Sequence, residues 1–279
     1  MSPLWRDHFE VYLSPGRVDL VRTKRGLKPV SLPVVTEFFQ DNQDAHPAWL
    51  LPVQQLEHML AEDAAGAGMT VTLSNHFVRY VTLPPQAEIT SPDEVLGYAD
   101  FRMREIYGSR VDHWILSISA WSPVHGAICA AISKELLTRL EEVTTSRHIK
   151  LKGIEPYLTA VLDRWIKSLN TQKSFVALVE TGRICVALME DGIWQSIRNQ
   201  RVLHDVMEEL WAALDQEAVL SGNKASNEQV FLFAPEHPEL TLPDKSGWHI
   251  VQLQTEKISV PAHYPATVSE NAKEDACPV

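Results

Sequence analysis

Residues 173–201 read KSFVALVETGRICVALMEDGIWQSIRNQR. The runs Phe175–Val179, Ile184–Met189 and Trp194–Arg198 are separated by the turn pairs Thr181–Gly182 and Asp191–Gly192. Short apolar runs punctuated by glycine turns read as antiparallel strands joined by hairpins. The stretch therefore predicts a three-stranded meander. A helix is expected next over Val202–Glu217, with Leu203, Val206, Leu210 and Leu214 on one stripe. After the polar loop Ser221–Glu228, strands are expected at Val230–Phe233 and Trp248–Leu253.

The same order occurs earlier in the chain. Phe9–Leu13, Val18–Val21 and Pro29–Val34 form a meander around Ser14-Pro15-Gly16 and Arg25-Gly26. A helix over about Val53–Asp63 and a strand at Met69–Leu73 follow. Ser133 caps a later helix whose inner side carries Leu136, Leu137, Leu140 and Val143. Then come a strand at Ile149–Ile154 and a helix opened by Pro156. Between the two parts lies an insert of order strand, helix, strand, strand: Phe77–Leu83, Ser91–Tyr107, Val111–Trp121 and Ala127–Ile132. Mixed sheets covered by helices bury such elements economically. The expected fold is α/β with two lobes. The first spans 1–168, with the insert at about 77–132, and the shorter second spans 169–253, with the polar stretch Leu169–Ser174 at the boundary. Residues 254–279 lack periodicity and are expected to be disordered.

Composition narrows the function. The chain has 279 residues, 45% apolar and 22% charged, which is ordinary for a globular protein. A net charge of −11 argues against a nucleic-acid footprint. No apolar run approaches the roughly 18 residues of a membrane span, and Met1–Glu10 lacks the apolar segment of a secretory signal. Cys129, Cys185 and Cys277 make no CxxC pair, and Cys129 and Cys185 read as small buried hydrophobes of a reducing cytoplasm. The eleven histidines form neither HxH nor HExxH, so no metal site is expected. Ser119 and Ser133 lack a nucleophile-elbow context, and no Walker or Rossmann glycine string occurs, so no catalytic residue is assigned.

The doubled meander-plus-helix layout, with the entry to the insert at Val71-Thr72-Leu73-Ser74-Asn75-His76-Phe77-Val78-Arg79-Tyr80-Val81-Thr82-Leu83-Pro84, resembles the actin-like (RNase H-type, ASKHA) superfamily. Within it, the chain resembles the PilM proteins of type IV pilus assembly and the cytoplasmic domain of GspL of type II secretion. GspL-type proteins continue into a membrane span and this chain shows none, which brings the expectation nearer PilM. The resemblance implies two actin-like lobes with phosphate-binding hairpin turns, each normally Asp-x-Gly. Here the first is Ser14-Pro15-Gly16, without a carboxylate and with one N–H donor lost to proline. The second is Glu180-Thr181-Gly182, with glutamate for aspartate. The late strand that should carry adenosine-binding glycines reads Phe231-Leu232-Phe233-Ala234-Pro235-Glu236. Each lost charge-assisted phosphate contact costs about 1.5–3 kcal/mol. The turns Ser14, Gly16, Glu180, Thr181 and Gly182 are thus degenerate, no cofactor is expected, and the chain is read as no enzyme.

By resemblance, the chain is then a bacterial, cytoplasmic scaffold, peripheral to the inner membrane through its partners. The partner implied is the N-terminal tail of an inner-membrane pilus or secretion protein, and an assembly ATPase and a homodimer are also allowed. A groove between insert and first lobe would take the tail, with Phe77, Arg79, Tyr80, Phe101 and Arg104 on its border. The alternative is an ASKHA-type ATPase or small-molecule kinase, with ATP and magnesium as cofactors.

Overall fold

The computed structural model of the chain describes residues 6–24, 26, 29–39, 47–60, 64–165, 173–222, 228–241, 247–254 and 267–268. In chain order it begins with strands β1 (His8–Ser14), β2 (Arg17–Lys24), β3 (Val30–Ser31) and β4 (Val35–Phe38), helix α1 (Leu50–Met59) and strand β5 (Gly68–Leu73). The insert follows as β6 (Arg79–Leu83), α2 (Pro92–Tyr107), a 3-10 helix (Gly108–His113), β7 (Trp114–Ile118) and β8 (Ala127–Ser133). Then come α3 (Lys134–Ser146), β9 (Lys150–Pro156) and α4 (Tyr157–Trp165). The last part holds β10 (Lys173–Glu180), β11 (Arg183–Glu190), β12 (Ile193–Arg201), α5 (Val206–Leu220), β13 (Glu228–Phe233), β14 (Trp248–Gln254) and β15 (Thr267–Val268).

Each meander becomes the antiparallel half of a mixed sheet. In the first, β1 pairs antiparallel with β2 and parallel with β5, and β5 pairs parallel with β9. In the second, β11 pairs antiparallel with β10 and β12, and β10, β13 and β14 run parallel. The expected third strand at Pro29–Val34 is instead two short ones: β3 pairs with the far end of β2 and β4 with its start. Pro33 lies between them and has no N–H to give to a ladder. The paired strand β15 falls within the segment expected to be disordered. The rest of that segment beyond Gln254, together with residues 166–172 at the lobe boundary, lies outside the described residues.

The insert is a three-stranded antiparallel sheet, β6-β8-β7, covered by α2. Sequence sets the ends of α2. Ser91 and Glu94 form a reciprocal capping box, Pro92 opens the first turn, and Gly108 closes the helix at φ 61°. Ala99 and Met103 of α2 pack on Val81, Leu83, Ala127 and Cys129. The expected strands Phe77–Leu83 and Val111–Trp121 are shorter than their apolar runs. Residues 75–77 form a turn, with the Phe77 N–H donating to Ser74 O at 3.0 Å, and residues 108–113 are helical.

One buried apolar cluster crosses the boundary between the lobes. Leu13, Val71, Leu73, Tyr80 and Leu158 share it with Leu178, Cys185, Ala187, Phe233 and Leu253. A second cluster, with Phe175, Val179, Ile184, Leu210, Leu214 and Leu232, fills the far side of the second sheet. Strands β10 and β11 are therefore buried on both faces, which is why they read as unbroken apolar runs. Among the described residues no helix is long and apolar enough to cross a membrane.

Candidate functional site

The two hairpin turns meet at the seam between the lobes. Gly182 sits at φ +74°, a backbone state that side chains with a Cβ adopt only under strain. Gly16 has no positive φ, and its carbonyl accepts from the Phe39 N–H at 3.0 Å. The Ser14 hydroxyl donates to Arg17 O at 3.2 Å and so closes its own turn.

Glu180 is only 3% exposed. Tyr12 Oη donates to its Oε1 at 2.7 Å and the Asn75 N–H to its Oε2 at 3.2 Å, and the Ser74 side chain is also bonded to it. Burial pushes its carboxyl above the usual range, and these three donors pull it back. Tyr12, Tyr157 and Phe233 stack across the same seam with centroids 5.1 and 6.0 Å apart. Both tyrosine hydroxyls are raised by burial.

Glu236, three residues past β13, holds the turn itself. It accepts from the Thr181 N–H at 2.7 Å and from Thr181 Oγ1 at 2.6 Å. Its other oxygen faces a guanidinium nitrogen of Arg17 at 3.3 Å. Arg17 also ion-pairs with buried Asp19 at 2.6 Å, lies over the rings of Tyr12 and Phe38, and Asp19 accepts from Thr36 Oγ1 at 2.7 Å. On the opposite side of the turn, Thr181 O lies 3.0 Å from His76 Nε2, and because a carbonyl only accepts, Nε2 carries the proton. Burial, then Arg183, lower the His76 pKa to about 4, so the ring is neutral at pH 7. Asn199 Nδ2 closes the seam further, donating to Asn75 O at 2.8 Å and Val78 O at 3.1 Å.

Two donors of the second turn, the Thr181 N–H and hydroxyl, are thus taken by a carboxylate of the same chain. Both oxygens of Glu180 are also bonded within the seam. A triphosphate here would have to displace Glu236 against like charge. These residues do not fit a magnesium–triphosphate group. Among the described residues no cluster of three or more His, Cys, Asp or Glu is arranged to hold a metal.

The five residues expected to border a partner groove are not brought together. Phe77 joins the shared core, and Tyr80 is buried with its hydroxyl donating to Asn75 Oδ1 at 2.7 Å. Arg79 donates to the carbonyls of His76 and Val78 at the seam. Phe101 is 58% exposed on α2, and Arg104 there pairs with Asp100 and Asp112. The groove between insert and first lobe lies elsewhere. It is an apolar cavity of about 280 Å³ lined by Ile115, Ile132, Leu137, Leu151, Gly153 and Ile154, among others. It is bordered by β7 and β9, each the edge strand of its sheet. Sequence reading also passed over Tyr12, Arg17, His76 and Glu236. Glu236 follows Pro235 directly after the β13 run, where an acid at the mouth of a turn is the signal the sequence carries.

No protein-family model and no curated protein matches the chain. Solved structures do. A Bacteroides thetaiotaomicron protein with an actin-like ATPase fold and unknown function aligns at TM-score 0.60 and 13% identity, over 88% of this chain and 87% of that one. The PilM-PilN type IV pilus biogenesis complex aligns at TM-score 0.61 and 13% identity, over 90% and 89%. The cytoplasmic domain of EpsL, an inner-membrane component of the Vibrio cholerae type II secretion system, aligns at 0.54 and 11%, over 89% and 90%. At such identities the likeness carries the architecture alone, and it agrees with the element order, the paired mixed sheets and the insert: the chain has the actin-like ATPase fold.

Proposed function

We propose that this chain is a non-catalytic scaffold, cytoplasmic and held at the inner membrane by a membrane-anchored partner of a pilus or secretion assembly. The observation that carries this reading is the Glu236 carboxylate on Thr181, backed by Arg17. It satisfies internally the donors that a nucleotide would need. The likeness to a PilM bound to PilN and to an inner-membrane secretion component supports the setting.

The apolar groove between β7 and β9 suits an extended segment of that partner. An added strand would find backbone donors and acceptors on either edge and apolar contacts from Ile115, Leu137 and Leu151. Gly153 provides the test. A Cβ there meets nothing within 4 Å and its φ is not positive, so Gly153→Leu fills the groove and leaves the strand intact. The N-terminal peptide of a single-span membrane protein encoded next to this chain is expected to bind in an anisotropy titration, and Gly153→Leu to weaken it at least about tenfold, roughly 1.4 kcal/mol. No binding at high micromolar peptide would sink the partner assignment.

The competing reading is an ATPase or small-molecule kinase, favoured by the retained glycine geometry at Gly182. Saturating Mg-ATP at 100 times its dissociation constant would stabilise the fold by about 2.7 kcal/mol. We expect no shift in melting temperature, and a clear rise would replace the scaffold reading.

A further inference from the structure

The two sides of Thr181 differ in charge. Its N–H side faces the carboxylate of Glu236, and its carbonyl side faces neutral His76 and a set of arginines. Arg183 and Arg201 are cross-strand partners on β11 and β12. Like charges placed directly opposite destabilise a sheet. Arg79 is tied to the same region: Asn199, which accepts from Arg183 at 3.1 Å, also donates to the carbonyl of Val78, the residue before Arg79. Arg183 is 6% exposed, and its Nε is buried without a hydrogen-bond partner. Among the described residues, Arg79, Arg183 and Arg201 make no ion pair. Glu180 acts favourably on Arg183 but is spent on Tyr12, Ser74 and Asn75. The mutual repulsion is felt: burial, then Arg79, with Arg201 adding to it, push Arg183 down to about 10. Burial, with Arg201 and Arg110 adding to it, also lowers Arg79.

A buried guanidinium without a counter-charge is costly; Arg183 is one, and half-buried Arg79 and exposed Arg201 approach it from separate strands. We infer that Arg79, Arg183 and Arg201 form a binding site for a phosphate group, at the seam where the insert meets the second lobe. A phosphate dianion supplies the charge and pairs of acceptor oxygens that the planar guanidinium fork matches. Exposed Arg201 marks the open side. The site is separate from the hairpin donors that Glu236 occupies, and it stands whether or not the scaffold reading does.

The test uses the full chain in sodium phosphate and in sodium chloride at matched ionic strength. The melting temperature should rise saturably with phosphate only. Arg201→Gln should abolish that rise. In phosphate-free buffer it should be at least as stable as the unaltered chain, because a like-charge pair is relieved, an outcome that a merely structural arginine would not give. Arg104→Gln on α2 serves as a control and should leave the response intact. Equal melting temperatures in the two salts, or a response retained in Arg201→Gln, would overturn the assignment. Vesicles containing phosphatidylglycerol, set against neutral vesicles, identify the source. Binding that Arg201→Gln loses points to a lipid headgroup, and a phosphate response without vesicle binding points to a soluble phosphate.

Discussion

The two hairpins that meet at the seam share a backbone plan and differ in their side chains. The first, at Pro15–Gly16, needs no left-handed glycine and sends out a cation, Arg17, steadied by Asp19. The second, at Thr181–Gly182, needs its glycine and keeps a carboxyl, Glu180, inside the core. Glu236 joins one to the other. The difference shows that each hairpin tip is satisfied by the chain itself, the first through its own turn and the second through Glu236. Next to its turn the second hairpin holds a buried carboxyl with three donors, whereas the first has the half-exposed Ser14 hydroxyl on one carbonyl, so equal perturbations should cost unequal amounts.

The largest contrast is expected at the carboxylate. Glu180→Ala orphans the Tyr12 hydroxyl, the Asn75 N–H and Ser74 and should cost about 3–4 kcal/mol in urea unfolding. Ser14→Ala, which loses one exposed-side bond to Arg17 O, should cost under about 1 kcal/mol. Similar losses would break the comparison.

The next effect is on pH dependence. His76 titrates near 6.5 when unfolded and near 4 when folded. Between those values unfolding takes up a proton, so stability falls as pH drops from 6.5 toward 4, by up to about 3 kcal/mol. Glu180, raised in the folded state, acts with the opposite sign: its contribution is fully present below its unfolded value of 4.5 and is lost as pH rises through the folded one. His76→Gln should remove the first component and flatten or invert the slope between pH 4 and 6.5 in a series of denaturation curves. A slope unchanged by that variant would place the proton uptake elsewhere.

Glu236→Ala should cost about 1–2 kcal/mol, because Thr181 and Arg17 stay near water and recover part of the loss. Arg17→Ala made in that background should cost less than Arg17→Ala alone, with a coupling of about 1 kcal/mol in the double-mutant cycle. Additive losses would deny that Glu236 links the hairpins. The smallest expected contrast is at the glycines. Gly182→Ala meets only His76 Cε1 at 3.8 Å, an ordinary contact, but a left-handed backbone, and should cost about 1 kcal/mol. Gly16→Ala meets only Phe39 O at 3.3 Å and should cost a few tenths of a kcal/mol.

Much of the architecture was legible because local signals agreed with the fold. The runs at β10 and β11 stay apolar because both faces are covered, and α2 carries its capping box, proline and glycine in order. The split of the third strand was signalled by Pro33, whose effect on pairing depends on which part of β2 each fragment meets. The site was less legible. Glu180, Thr181 and Gly182 were found from the turn pattern, but Glu236 is 55 residues from Thr181 and 219 from Arg17. No periodicity encodes a contact at that separation. The burial of the expected groove residues was hard to read for a related reason. In β6 both faces are largely covered, so an aromatic such as Tyr80 reads as a surface anchor or a core residue equally well.

The apolar cluster that runs from Leu13 and Leu73 into Leu178 and Phe233 has a mechanical consequence. For the two sheets to part, the shared cluster would have to open to water, at about 25 cal/mol for each Å² of apolar surface exposed, against the roughly 5–15 kcal/mol stability of an ordinary domain. A core continuous across the boundary therefore couples the two sheets, so that the molecule resists bending between them.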